Sequence, residues 1–236
     1  MEPDPLIREA ERATRSVLLV TPEPSSAGRV ALLPGSFDPI TVAHATLAEQ
    51  AAARADLVVL VYAVRTLPKE GGGPPPLLSP QERLRVLRQF ADPRSGHTVG
   101  VASRGLLAEQ VAAASDRFPG ARLWVVMGSD KALQLLDPKW YEDRDASLSA
   151  LFERAGVLYA ERAGQEGVVQ AALRRAENRA WRDLFERLDL DPAVAAISSR
   201  AVRERLLAGD DVRSLVPEAA HEAVVAAARA GPGGPG

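Results

Sequence analysis

Residues 35 to 44 read GSFDPITVAH, which places a glycine, two loop amides, a hydroxyl and an imidazole within a tight turn and the first turn of a helix. Thr41 and His44 stand three residues apart, so on a helix they share one face. Gly35 lets the backbone turn closely, and the amides of Ser36 and Phe37 can then face an anion. A helix that starts near Thr41 adds roughly half a positive charge at its N-terminus. Thr41 brings a hydroxyl, His44 brings a ring nitrogen about one turn further in, and Asp38 and Pro39 stiffen the turn. This set suits the gripping of a polyphosphate. The plainer alternative is that Thr41 caps the helix and His44 packs beneath it.

Two other segments carry similar chemistry. In ISSRAVRERL, Ile197, Ser198 and Ser199 end a strand and open a helix, with Arg203 about one turn later. Either serine could serve as an N-cap. Hydroxyls, free amides and a guanidinium could equally converge on phosphate, with charge-assisted bonds worth about 1.5–3 kcal/mol each. In VVMGSDKALQLLDPKW, Gly128 permits close approach of a ligand at a strand end. Asp130 could accept from ribose hydroxyls or cap a helix. Trp140 could stack on a flat ring or sit half-buried in the core.

These segments need elements to hold them. Apolar, β-branched runs predict strands at 16–20, 29–35, 56–64, 97–103, 121–128, 155–162 and 193–199. Helices are expected over 5–15, after Ile40, from Ser79, over LLAEQVAAASDRF, over DKALQLL, within 165–188, over SRAVRERLLAG and over VPEAAHEAVVAAARA. Ser79, Pro80 and Glu82 form a helix start with a capping box. Residues 65–78 form a Gly/Pro-rich loop, either a flap over a site or a tolerated surface insertion. DPKWYEDRD reads as a polar loop. Strands alternating with helices give an α/β fold with a mostly parallel sheet. Ligands in such sheets bind beyond the C-terminal strand ends, near the switch in strand order. The expected organisation is an N-terminal extension (1–28), one domain (29–230) and a disordered tail (231–236).

Composition narrows the function classes. The chain has 236 residues, 46% hydrophobic and 25% charged, as ordinary globular proteins do. A net charge of −2 gives no global basic field for nucleic acid. The absence of cysteine excludes disulfide and thiol chemistry and fits a cytoplasmic protein. No apolar run reaches the ~18 residues of a membrane span. Three histidines are too few for a histidine metal cluster, and no metal-ligand set is read. The phosphate loop G-x-x-x-x-G-K-[ST], the G-x-G-x-x-G fingerprint after a strand and the G-x-S-x-G elbow are all missing. The closing helix, with VVAAARA, suits a homo-oligomer interface as well as core packing.

GSFDPITVAH resembles the first signature, G-[ST]-F-D-P-[IV]-[HT]-x-G-H, of the nucleotidylyltransferase superfamily. ISSRAVRERLLAGDDVRSLVPEAAHEAV resembles its C-terminal signature, I-S-S-T-x-[IV]-R followed by a V-P-x-x-V helix. VVMGSDKALQLLDPKW is similar to the G-x-D…W segment of nicotinate and nicotinamide mononucleotide adenylyltransferases. The signatures come in the family's order across roughly residues 30 to 230. Three positions depart from the pattern: Ala43 replaces the motif glycine, Arg200 replaces the usual threonine, and Thr41 stands where pyridine-nucleotide enzymes usually have histidine.

The resemblance implies a Rossmann-like, doubly wound sheet with helices on both faces, and ATP used with Mg²⁺. Carried over by position, Thr41 and His44 would bind the triphosphate, with His44 stabilising the transition state. Ser198, Ser199 and Arg203 would hold the β- and γ-phosphates. Gly128 and Asp130 would lie against the nucleotides, Trp140 near the pyridine ring, and Lys69 in the place of a loop lysine. The implied reaction is transfer of AMP from ATP to nicotinate or nicotinamide mononucleotide, releasing pyrophosphate. Phosphopantetheine or another metabolite is the alternative acceptor, and a non-catalytic nucleotide sensor is the alternative class.

Overall fold

A computed structural model describes residues 4–21, 27–65, 76–91 and 96–230. Among these residues, seven strands form one sheet in the order β1-β4-β3-β2-β5-β6-β7. In chain order they are β1 (Leu18–Thr21), β2 (Arg29–Pro34), β3 (Leu57–Ala63), β4 (His97–Ala102), β5 (Arg122–Gly128), β6 (Ala155–Ala160) and β7 (Phe185–Leu188). Only β1 runs antiparallel, against β4. The helices are α1 (Pro5–Arg12), α2 (Val42–Ala52), α3 (Pro80–Phe90), α4 (Leu107–Arg117), α5 (Ser129–Leu136), α6 (Arg144–Phe152), α7 (Val168–Leu173), α8 (Pro192–Ala195), α9 (Ser199–Ala208) and α10 (Glu218–Ala230).

Strand periodicity sorts the core into two layers. Along β3, Val58, Leu60 and Tyr62 point to one face, where they meet Leu47 of α2, Leu84 and Leu87 of α3, Val202 of α9 and Val224 of α10. Leu57, Val59 and Val61 point to the other, against Val111 of α4, Leu135 of α5, Leu148 of α6 and Val169 of α7. Every residue of β3 is buried, which explains its unbroken apolar run. The fold is therefore a doubly wound α/β sheet with helices on both faces. The chain moves outward from β2 through β3 to β4, then returns to place β5 on the free side of β2. That reversal is the switch point, and the turn after β2 and the exit of β5 flank it.

Ser79 and Glu82 form the expected capping box at α3. One expectation fails. AVAAISS is not a strand: Asp191 accepts the Ala193 amide, Pro192 fills the first turn, and a short helix, α8, results. Ile197 to Ser199 thus follow a helix and a bend rather than a strand. Residues 165–188 hold two helical segments as expected, α7 and a 3-10 run over Ala176–Leu184, and their last four residues form β7 on the open edge of β6, where Phe185 and Leu188 find buried positions. Tertiary pairing overrides local helix preference there. A further helix, α6, follows the polar loop, and Asp143 caps its start by accepting from Ala146. Within DPKWYEDRD, Pro138–Trp140 forms a 3-10 turn.

The segment ahead of residue 29 shares this sheet and core. Its β1 pairs with β4, and Ile7 and Ala10 of α1 are fully buried. Residues 66–75, which include Lys69 and most of the Gly/Pro loop, and the tail 231–236 lie outside the described residues. In the described chain, α10 packs its Val224 and Ala227 into the core beside α3.

Candidate active site

The turn after β2 is built around the Phe37 ring. Gly35 has an ordinary φ; the left-handed backbone falls on Phe37, at φ 45°. Glycine is required at 35 by crowding, because a Cβ there would lie 2.8–3.0 Å from the Phe37 ring atoms. The ring is buried and meets the His44 ring edge-on at 5.2 Å between centroids, so it has little room to retreat. Gly35→Ala is expected to cost about 1–3 kcal/mol of stability by overpacking, measurable as a lower urea midpoint at unchanged slope. An unshifted midpoint would show that the ring can move aside.

Thr41 is fully buried and caps α2, and the cap is reciprocal. Its hydroxyl accepts from the His44 amide at 3.5 Å, while the His44 ring Nδ1 accepts the Thr41 amide at 3.1 Å and lies 2.9 Å from Thr41 Oγ1. A backbone N–H can only donate, so Nδ1 is the acceptor and the neutral ring carries its proton on Nε2. No group among the described residues takes that proton. The helix cap thus sets the tautomer and orientation of a half-buried imidazole.

Burial, and then the positive charge of Arg162, lower the His44 pKa from 6.5 to about 4. His44 is therefore neutral at pH 7 and acts as a hydrogen-bond donor rather than a cation. Between pH 6.5 and about 4 the unfolded chain binds a proton that the folded chain refuses. Stability from this source is complete above the unfolded pKa and is lost as pH falls towards 4. At about 1.4 kcal/mol per pH unit the loss reaches roughly 3 kcal/mol. The thermal midpoint of the native chain should fall relative to that of His44→Gln between pH 7 and 4. Parallel midpoints for the two proteins would refute the shift.

The C-terminal segment docks on this turn. Ser199 Oγ donates to the Pro39 carbonyl at 2.8 Å, Arg203 donates to the Asp38 carboxylate at 3.1 Å, and the Val42 amide donates to Leu215 at 2.9 Å. The first turns of α2 and α9 are thereby joined. Ser198 caps α9 by accepting from Ala201 at 3.2 Å, and Ile197 packs against the core. Both serine hydroxyls are thus engaged within the protein, and the join runs through Ser199 and Arg203.

At the end of β5, Gly128 faces open space: a Cβ there would meet nothing within 4 Å. Asp130 pairs with Arg162 at 3.0 Å. The Arg162 amide in turn donates to Ser129, which links the starts of the segments after β5 and β6. Trp140 is 43% exposed, with Lys139 Nζ 4.9 Å from its ring centroid. Among the described contacts it touches neither His44 nor Arg203.

Three residues were missed or undervalued in the sequence. Arg162 stands two residues beyond β6, so treating every strand end as a candidate would have found it. Asp38 was read as turn stiffening, yet it accepts from Leu77, Leu78 and Arg203. Arg83 offered no local signal; it reaches the turn from α3, donating to the Ser36 carbonyl at 3.2 Å.

The family model described as cytidylyltransferase-like matches residues 32–205, from β2 into α9. The chain belongs to the cytidylyltransferase-like family. This places it in the nucleotidylyltransferase superfamily. Two curated relatives of this cytidylyltransferase-like chain are named probable nicotinate-nucleotide adenylyltransferases. The one from Halorhodospira halophila is 29% identical, covering 84% of this chain and 93% of the relative. The one from Chromohalobacter salexigens is 30% identical, covering 84% and 94%. The nicotinic acid mononucleotide adenylyltransferase of Plasmodium falciparum, solved with NaAD, shares the fold: TM-score 0.60, 14% identity, 84% of this chain and 95% of that one. The same enzyme complexed with APC superposes with a TM-score of 0.56.

Proposed function

We propose that this cytidylyltransferase-like enzyme transfers AMP from ATP to nicotinate or nicotinamide mononucleotide and releases pyrophosphate. An oxygen of the acceptor phosphate attacks the α-phosphorus in line. A new P–O bond forms to the acceptor as the bond between the α-phosphorus and the bridging oxygen breaks. The electron pair leaves on pyrophosphate. The acceptor phosphate is already ionised at neutral pH, so the reaction needs no side-chain nucleophile. Catalysis then consists of alignment and stabilisation of the charge that builds on the leaving group.

One observation carries this reading. The docking of Arg203 and Ser199 on the Asp38–Pro39 turn brings two separated signatures together beside His44, whose Nε2 proton is free to be donated. In this reading the Ser36 and Phe37 amides, Thr41 and His44 line the triphosphate, while Arg203 and the first turn of α9 (Ser198, Ser199) receive its far end. Gly128 leaves room for the nucleotide, and Asp130 meets a ribose. Trp140 and Lys69 are the acceptor-side candidates.

Mg²⁺ enters with ATP as part of the substrate. No group of three or more His, Cys, Asp or Glu side chains is gathered to hold a metal among the described residues. Phosphate oxygens and water suit it as ligands. It would supply charge neutralisation at the departing pyrophosphate. No described helix is long and apolar enough to cross a membrane, and the reading is of an enzyme acting on small cytoplasmic metabolites.

The test is pyrophosphate release from ATP with a panel of acceptors. Turnover with nicotinate or nicotinamide mononucleotide is the expected result. Turnover only with phosphopantetheine would replace the acceptor. Measurable ATP binding with no turnover on any acceptor would replace the enzyme with a nucleotide sensor.

A further inference from the structure

We infer that Arg83 and Asp38 are positioning residues for the polyphosphate: Arg83 sets the Ser36–Phe37 peptide, and Asp38 holds Arg203 in place. The inference rests on the reading of this turn as a triphosphate site. It assigns a role to two groups that no step of the reaction itself requires.

Arg83 is 8% exposed and sits beneath the turn. Its Nε–H donates to the Leu78 carbonyl at 2.9 Å, one terminal N–H donates to the Ser36 carbonyl at 3.2 Å, and the other terminal nitrogen lies 3.5 Å from Asp38. The Tyr62 ring backs the guanidinium at 5.9 Å. A trans peptide is planar, with C=O and N–H opposed. Drawing the Ser36 carbonyl towards α3 therefore turns the Phe37 N–H away from α3. That N–H belongs to a buried residue and has no partner among the described residues. A buried backbone N–H is almost always paired, so this one is available to an incoming anion. The left-handed φ of Phe37 belongs to the same device, since an aromatic residue holds that conformation only when its surroundings enforce it.

Asp38 completes the arrangement from below. Its buried carboxylate accepts from the Leu77 amide at 3.1 Å, the Leu78 amide at 2.8 Å and Arg203 at 3.1 Å, with Arg83 alongside. One carboxylate faces two guanidinium groups, so the turn keeps a surplus positive charge. Asp38 occupies one terminal nitrogen of Arg203, which fixes the side chain while its remaining N–H groups stay free for phosphate. The same carboxylate anchors residues 77–78, so the base of the Gly/Pro loop and the phosphate turn share one tether.

The test uses the full chain with Arg83→Lys and Asp38→Asn. Lysine keeps the charge but lacks the fork that reaches both carbonyls. Asparagine keeps the shape but removes the charge and sets an amide donor against two of the four donors, since each carboxylate oxygen faces two. For each folded variant, the KM for ATP and the Kd for inorganic tripolyphosphate should rise about tenfold or more, with the acceptor KM within about twofold of wild type. A merely structural role would lower the thermal midpoint and the active fraction, leaving both KM values and the tripolyphosphate Kd unchanged; that pattern overturns the inference. Having two variants keeps the test decisive if one does not melt cooperatively. Wild-type protein that binds tripolyphosphate without turning over any acceptor sinks the proposed reaction, yet the binding comparison still decides the positioning roles.

Discussion

His44→Ala lowers turnover about 10²–10⁴-fold while the chain still folds. The size follows from what the imidazole does. Its Nδ1 is committed to the Thr41 amide, so the Nε2 proton is fixed in direction before substrate arrives. A preset donor costs nothing to reorganise when charge builds on the leaving group, and that is where such donors stabilise most. The ring is neutral at pH 7, so its loss removes a hydrogen bond rather than a net charge. ATP affinity should therefore change less than the rate. Steady-state pyrophosphate release, with folding checked by circular dichroism, makes the measurement. Wild-type turnover in the variant would remove His44 from the chemistry. An equal loss from rate and affinity would make it a general phosphate ligand.

Arg203→Ala should act in the opposite proportion. A charge-assisted bond to phosphate is worth about 1.5–3 kcal/mol, which corresponds to roughly 10- to 150-fold in ATP affinity. The α2–α9 junction should survive the change, because Ser199 still bonds Pro39 and Val42 still bonds Leu215. Asp38 keeps Arg83 and two backbone amides, so its charge is not stranded. The variant should then fold, saturate at a much higher ATP concentration and reach a rate closer to wild type. Unchanged ATP affinity by calorimetry would leave Arg203 as a structural partner of Asp38 and nothing more.

How far the sequence could be read depended on the range over which each signal acts. The β2 and β3 strands were legible because both faces are buried, which forces continuous apolar runs. The α3 start was legible because its capping box closes within four residues. The Thr41–His44 pair was visible for the same reason, and the structure shows that the same reciprocal cap that starts α2 orients the imidazole. Partnerships with no local periodicity were hidden: Arg203 with Asp38, 165 residues away in sequence, and Arg83 with the Ser36 carbonyl, 47 residues away. The strand at Phe185–Leu188 was hidden because its strand state comes from β6 beside it, and 193–199 does not form a strand because Asp191 and Pro192 outweigh a short apolar run.

The antiparallel strand β1 bears on how the molecule behaves among its own copies. It lies along β4, which would otherwise be the sheet margin, and satisfies backbone groups there with only four residues of its own. A long bare margin is a template for adding strands from other chains, whereas a very short one is a poor template. A chain trimmed to residue 29 would keep the entire GSFDPITVAH turn and still lose this shield. Such a truncation is expected to clump at concentrations where the intact chain stays dispersed, a fault that light scattering would reveal and no assay of the polyphosphate turn would predict.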